Sequence, residues 1–298
     1  MDLSIIIVNY NTRNLLRKTL ESIYKNPTYR EFEIIVVDNA SSDGSQEMVK
    51  KEFPNVILIK NKQNLGFAKA NNIGIRIAKG KYILLLNSDT EVLRGTLDSC
   101  IDFLEKDEAK EIGILGCKVV LPDGKLDLAC RRGFPTPKNS FFKIFGLAKL
   151  FPKSRFFAGY NLTYLDENQS YEVDSVVGAF MLIRREVIDK IGLLDEDYFM
   201  FGEDIDFCFR AKQNGFKVYY YADAKIIHHK RGSGRNLKVL SAFYDSMWIF
   251  YKKHYYNRYP KTLALLIFIT IKLIKSLKLA HAKVRNFPIR KGKKPCIA

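Results

Sequence analysis

The chain has 298 residues, 47% apolar and 27% charged, a composition that excludes intrinsic disorder and suits either one large α/β domain with an appendage or two domains. Its net charge of +17 is polarised: 32 Lys and Arg stand against 31 Asp and Glu up to His229, but 17 stand against one acid, Asp245, from Lys230 onward. Five cysteines without a CxxC pair or a zinc spacing exclude a metal-knuckle reading and point to a reducing compartment.

The first apolar run, Ile5 to Val8, is too short and lacks the basic leader of a signal peptide, so none is expected. No fixed-period repeat is present. Ser4 to Asn9, Glu33 to Asp38, Val56 to Ile59 and Tyr82 to Asn87 are β-rich runs, and the intervals between them read as helices. That alternation predicts parallel strands with right-handed crossovers. Ligands of such sheets bind beyond the carboxyl ends of the strands, and here each end is polar: Asn9-Tyr10-Asn11, Asp38-Asn39, Asn61 to Gly66 and Asn87-Ser88-Asp89. Asp38 suits the imide N–H of a pyrimidine base, or an ordinary Asx turn. Gly66 permits close backbone approach at a helix start whose free N–H groups suit a diphosphate, or it is a plain turn. Asp89, just past a continuous apolar strand, suits Mg²⁺ or Mn²⁺ shared with diphosphate oxygens, or simply opens a loop.

From Arg131 to Asp174 the pattern loosens into Gly, Pro and aromatic residues, as in a long excursion or lid. Val176 to Arg184 then reads as a buried strand, Glu203 to Asn214 as a helix ended by Gly215, and Lys217 to Tyr221 as a strand. Glu203, Asp204 and Asp206 open that helix among aromatics. Asp204 and Asp206, two apart, face different directions, and acids in a first turn are also common for dipole reasons alone. His228 or His229 is a metal ligand or a satisfied structural histidine. After Gly232-Ser233-Gly234, helices are predicted over Leu237 to Tyr259 and Lys261 to Ala280, broken at Pro260. The apolar run Leu263 to Ile271 is shorter than the roughly 20 residues needed to span a bilayer. With Lys272, Lys275 and Lys278 beside Leu273, Ile274, Leu277 and Leu279 it reads as an interfacial amphipathic helix, or as a helix packed on the core.

The segments SIIIVNYN, IIVVDNASSDGS, NLGFAKANNIGI, LLLNSDT, GAFMLIRREVIDKIGLLDEDYFMFGEDIDFCFRAKQNGF and HHKRGSG, in that order, resemble the family-two inverting glycosyltransferases, particularly their bacterial rhamnosyltransferase-like branch. The resemblance implies a GT-A fold, a Rossmann-like mixed α/β sheet flanked by helices, over residues 1–235, with a basic helical membrane-association region over 236–298. It implies that Tyr10, Asp38, Gly66, Phe67, Asn71, Ser88 and Asp89 contact a nucleotide-sugar donor, dTDP-rhamnose being favoured. Asp204 would be the catalytic base, Gly178, Phe201 and Glu203 acceptor-side residues, and Asp89 with His228 the ligands of Mg²⁺ or Mn²⁺. His228 is favoured over His229 by its spacing to Ser233. The family's usual acidic pair appears here as Asn87-Ser88-Asp89, so one carboxylate carries the metal. The implied reaction is a single displacement on a glycan or lipid-linked acceptor at the cytoplasmic face of an anionic membrane, in cell-surface polysaccharide synthesis. Two other readings compete: a catalytically silent sugar-nucleotide-binding module anchored to membrane, and a nucleic-acid binder using Tyr251 to Tyr256. The second leaves the acid cluster and the polar strand ends unexplained, so no nucleic-acid partner is expected.

Overall fold

The computed structural model describes residues 1–26, 28–230 and 237–286, with the side chains of 284–286 left aside. It divides into two compact units, Met1–Gly232 and Ser233–Ala298. The expected boundary at residue 235, Gly232-Ser233-Gly234 and the spacing of His228 to Ser233 lie outside the described residues.

In the first unit, β1 (Leu3–Asn9), α1 (Arg13–Lys25), β2 (Phe32–Asp38), α2 (Ser45–Glu52), β3 (Ile57–Lys60), α3 (Phe67–Ile77) and β4 (Tyr82–Asn87) follow the predicted alternation. Ile5 to Ile7, Ile34 to Val37 and Ile83 to Leu86 are buried at every position rather than at alternate ones. Strands covered on both faces require this, and it is why they read as unbroken apolar runs. Parallel register sets Asn9 opposite Asp38 and Val8 opposite Asn87, so three strands end level.

The sheet continues with β5 (Thr90–Val92), α4 (Thr96–Leu104), β6 (Ile112–Val120), α5 (Pro137–Ile144), α6 (Leu147–Leu150), β7 (Tyr171–Val173), β8 (Phe180–Arg184), α7 (Arg185–Ile191), α8 (Glu203–Gln213) and β9 (Lys217–His228). Strand order is β3-β2-β1-β4-β8-β6-β9-β5, with β7 also on β9. β8 runs antiparallel to both β4 and β6, so the sheet is mixed. The strand expected from Val176 begins only at Phe180. Val176 to Ala179 form a turn closed by Phe180 N–H on Val177 O at 3.2 Å, and the Gly178 N–H is spent on a carboxylate instead of a ladder. β9 extends past the expected Tyr221 to His228, because its second half has its own partner, β5.

The loosely patterned segment is a true excursion. Arg132 and Ser175 exchange two backbone hydrogen bonds of 2.9 Å at its base, and Gly133 N–H donates to Tyr160 O at 2.9 Å. A Cβ on Gly133 would lie 2.0 Å from Gly159 O, so the two sides of this neck close only around glycine.

The second unit is the helix pair α9 (Leu237–His254) and α10 (Lys261–Asn286), α9 ending earlier and α10 later than expected. Trp248 meets Phe268 edge-on at 4.9 Å, and Lys275 bonds Asp245 at 2.6 Å. Leu265, Leu266, Ile269, Leu273 and Leu277 are exposed along α10. Among the described residues no helix is long and apolar enough to cross a membrane.

Gly66 joins two parts of the first unit. At φ 88° its missing side chain would meet Phe199 O at 2.4 Å, while Gly95, at φ 75°, has nothing within 4 Å. Gly95→Ala is expected to cost about 1 kcal/mol through backbone strain alone. Gly66→Ala should cost roughly 2 kcal/mol more, because rigid backbone must move. Denaturant unfolding of both variants measures the difference, and equal losses would contradict the close approach.

Candidate active site

The level strand ends are tied together by side chains. Asn9 Nδ2 donates to Asp38 Oδ2 at 2.8 Å and Ser41 Oγ at 3.0 Å, and its Oδ1 accepts from Thr12 at 2.6 Å. Thr12 Oγ1 lies 2.9 Å from Ser88 Oγ, which brings the end of β4 into the same network. Asp38 also accepts from Ser41 N–H at 2.8 Å and Gln46 Nε2 at 2.7 Å. A carboxylate offers about four acceptor directions, so roughly one remains for a ligand. Tyr10, at the rim beside it, is exposed.

The start of α3 behaves differently from its expected role. Gly66 N–H donates to Asn64 Oδ1 at 2.9 Å, Phe67 N–H to Phe199 O at 2.7 Å, and Gly66 O accepts from Asn39 at 3.0 Å. Neither Gly66 nor Phe67 therefore presents a free N–H to a diphosphate. Asn71 is buried and donates back to Phe67 O at 3.0 Å, within its own helix. What Gly66 provides is a packing junction with the Phe199 loop.

Beyond β4, Thr90 pairs with His228 in the β5–β9 register, and this carries Asp89 alongside the imidazole: His228 Nε2 is 3.2 Å from Asp89 Oδ1. Nδ1 is 3.3 Å from Asp127 Oδ2, and Lys230 reaches the other oxygen of Asp127 at 2.8 Å. Asp127 arrives there because the chain after β6 turns back, with Leu126 bridged to Val120. Burial works against the charged imidazole, but hydrogen bonds to Asp127 and Asp89 outweigh it and raise His228 to about 8. Burial likewise opposes the Asp127 carboxylate, and His228 and Lys230 hold it far below the usual carboxylate range. His229 turns away, its Nε2 2.7 Å from Glu91.

No three His, Cys, Asp or Glu among the described residues converge as a metal cage. The Asp89–His228 pair still fits Mg²⁺ or Mn²⁺ of the kind that takes one or two protein ligands and completes its shell with substrate oxygens. An imidazole that keeps Nδ1–H on Asp127 and gives up its Nε2 proton would offer the Nε2 lone pair to a cation shared with Asp89, the outer-shell arrangement typical of metal-binding histidines.

The third group surrounds Asp204, the second residue of α8. Its Oδ2 accepts from Arg132 Nη2 at 2.7 Å and from Gly178 N–H at 3.2 Å, and its Oδ1 from Ile205 N–H at 2.8 Å. Phe67 packs against Gly178, where a Cβ would come within 3.2 Å of its ring. Ala179 O accepts from Asn87 N–H at 3.1 Å, and Asn87 Nδ2 lies 3.4 Å from His228 Nε2. Asn87 thus links the Asp204 and His228 groups. Phe201, before the helix, holds a left-handed φ of 68°, a strain often found next to reactive groups. Asp206 is committed to Arg210 at 2.8 Å, a structural pair.

Arg132, Asp127, Thr12 and Gln46 were not singled out from sequence. Arg132 and Asp127 sit in irregular chain, where no periodicity marks them. The usable signal was charge: Asp127 is the last acid before an acid-free stretch that ends at Asp166.

Glu203 is buried with Oε2 unpartnered among the described residues, and burial followed by the adjacent Asp204 charge pushes its carboxyl from 4.5 up to about 8. Arg132 opposes this shift and Asp206 adds to it. A raised folded pKa gives stability that is complete below 4.5 and is lost as pH rises toward about 8. Glu203→Gln cannot ionise, so it is expected to gain stability relative to wild type across that window, by a few kcal/mol at its alkaline end. Melting curves against pH test this; parallel profiles for the two proteins would refute it.

The profile of glycosyl transferase family 2 matches residues 4–192. An N-acetylglucosaminyl-diphospho-decaprenol L-rhamnosyltransferase of Mycobacterium tuberculosis is 26% identical over 261 residues, 83% of each chain. Rhamnosyltransferase WbbL of Escherichia coli K12 is 26% identical over 254 residues, 78% of this chain and 85% of its own. Among solved structures, the Pyrobaculum calidifontis mannosyltransferase PcManGT in complex with GDP-Man and Mn²⁺ has a TM-score of 0.58 at 18% identity, covering 95% of this chain and 73% of its own. TarS 1–349 of S. aureus has a TM-score of 0.56 at 18% identity, covering 84% of this chain, which spans 64% of that one. These structural likenesses bear on the fold, which is GT-A. The chain therefore belongs to glycosyl transferase family 2, a family of inverting transferases.

Proposed function

We propose that the chain transfers a deoxyhexose, rhamnose from dTDP-rhamnose, to a hydroxyl of a lipid-linked glycan in cell-surface polysaccharide synthesis, at the cytoplasmic face of a membrane. The rhamnosyltransferase names of two relatives, one of them acting on a diphospho-decaprenol, support donor and acceptor class. The exposed leucines of α10 and its lysines support a peripheral membrane position.

One observation carries the chemistry: Asp204 is a buried carboxylate held by Arg132, Gly178 N–H and Ile205 N–H, with about one acceptor direction left. In this reading Asp204 takes the proton of the acceptor hydroxyl while that oxygen attacks the anomeric carbon opposite the leaving diphosphate, and inversion follows. Arg132 and the Gly178 N–H fix the orientation of the base, and Gly178, Phe201 and Glu203 are taken as the acceptor side. Tyr10, Asp38 and Ser88 form the donor's base-side rim. A divalent cation bound by Asp89 and His228 would offset the charge developing on the diphosphate.

Asp204→Asn keeps shape and removes the proton acceptor, so nucleotide-sugar binding should persist while turnover falls about 10²–10⁴-fold. Lost donor affinity with intact turnover would make Asp204 a binding residue. The cation reading has its own measurement. Calorimetry should show cation and donor each strengthening the other by one common factor. Asp89→Ala should abolish that coupling, His228→Ala should weaken it, and His229→Ala, which alters only the Glu91 contact, should leave it unchanged. Equal donor affinity and turnover in chelator-treated and metal-loaded protein would rule the cation out.

A further inference from the structure

α5 and α6 contain no buried residue, although they carry Phe141, Phe142, Ile144, Leu147 and Leu150. Their rings pack on neighbouring rings instead of on the sheet: Phe142 lies 5.2 Å from Phe156 and 4.8 Å from Phe157, and Phe151 lies 5.0 Å from Phe157. Phe145, Leu150 and Phe156 remain more than half exposed. Phe141, Ile144 and Phe151 are exposed as well. An apolar cluster of this kind on a folded domain marks an interaction face.

The charge around it selects the partner. No acid occurs between Asp127 and Asp166, while Lys138, Lys143, Lys149, Lys153 and Arg155 are all exposed. Lys138 Nζ lies 4.8 Å over the Phe156 ring, so at least one of these cations extends along the aromatic surface. Bulky apolar groups within a ring of cations, with no acid among them, complement the acyl boundary and phosphates of an anionic bilayer. Aliphatic Ile144 and Leu150 at the same face fit hydrocarbon better than they fit a stack of bases.

We propose that the α5–α6 excursion is a lipid-docking face of the first unit, separate from α10, whose partner is an anionic membrane surface. The rings of Phe145 and Phe156 and the Leu150 side chain enter the headgroup–acyl boundary, and Lys138, Lys149, Lys153 and Arg155 bind lipid phosphates, while the Lys143 ammonium is held over the Tyr160 ring at 3.7 Å. The neck of the excursion is bonded to Asp204 through Arg132, so docking brings the bilayer to the side of the molecule on which Asp204 lies.

The chain has a single tryptophan, Trp248, which makes a direct test available. In the full-length double variant Trp248→Phe/Phe145→Trp, the only indole sits on the proposed face. With phosphatidylcholine–phosphatidylglycerol vesicles carrying brominated acyl chains, its emission is expected to fall at least about twofold, with weaker quenching when phosphatidylglycerol is omitted. In the otherwise wild-type chain, the triple variant Phe145→Ser/Leu150→Ser/Phe156→Ser should partition onto the same vesicles about tenfold more weakly, with unchanged circular dichroism. Sedimentation with vesicles while the indole stays unquenched would overturn the proposal and leave α10 as the docking element. Absence of vesicle binding, or self-association relieved by the triple variant, would overturn it in favour of a protein-facing surface.

Discussion

The side-chain amide of Asn9 accepts one hydrogen bond and donates two, and through them the end of β1 holds Asp38 at the end of β2, Ser41 just beyond it and Thr12 before α1. These bonds are available only because β1 is central and in parallel register with both β2 and β4, which brings Asn9, Asp38 and Asn87 to one level. A slip of one residue would turn every buried side chain of β1 to the opposite face and move the amide out of reach. The apolar interior of three strands thus fixes where the polar groups at their ends can stand. Both candidate reactive centres start from this edge, one through Asn87 and Ala179, the other through Thr90 and β9.

The two centres treat buried charge in contrasting ways. Around His228 the charges alternate, Asp89, imidazole, Asp127, Lys230, so each carboxylate has a cation beside it. Around Asp204 the acids are crowded, and Arg132 is the cation bonded directly to it. There the crowding is relieved by keeping Glu203 neutral, burial and the Asp204 charge acting in the same direction. Both acids are fixed by the first turn of α8, and it is the carboxyl of Glu203 whose affinity for its proton is raised.

Much of this was legible in the sequence because it follows from periodicity. Unbroken apolar runs ending in Asn, Asp or Ser marked β1, β2 and β4 and put Asp38 and Asp89 at strand ends, and the acids before Ile205 marked the start of α8. Other features left no comparable trace. A buried run does not disclose whether its neighbours are parallel or antiparallel, so β8 was placed in the sheet without its direction, and its start was read too early because Gly178 bonds a carboxylate rather than a strand. Arg132 and Asp127 act through tertiary contacts made across 72 and 101 residues, and the chain around them has no repeating pattern to read. That His228 faces Asp89 while His229 faces Glu91 follows from the alternation of side chains at the end of β9, which requires knowing that the strand reaches that far.

The neck of the excursion has an evolutionary side. Arg132 and Ser175 clamp its base with two backbone bonds, and the glycine pair just beyond lets the strands of chain pass close together. Loop-closure entropy grows only slowly with length, so the α5–α6 part of the segment, which has no buried residue, can change length at small energetic cost while Arg132 stays on Asp204 and β7 stays paired with β9. Such an arrangement separates inheritance of the reaction from inheritance of what surrounds it. Descendants of one ancestral chain can diverge in the α5–α6 part of this insert, and chimaeras that exchange it while keeping β7 are the natural units for transplanting it between relatives.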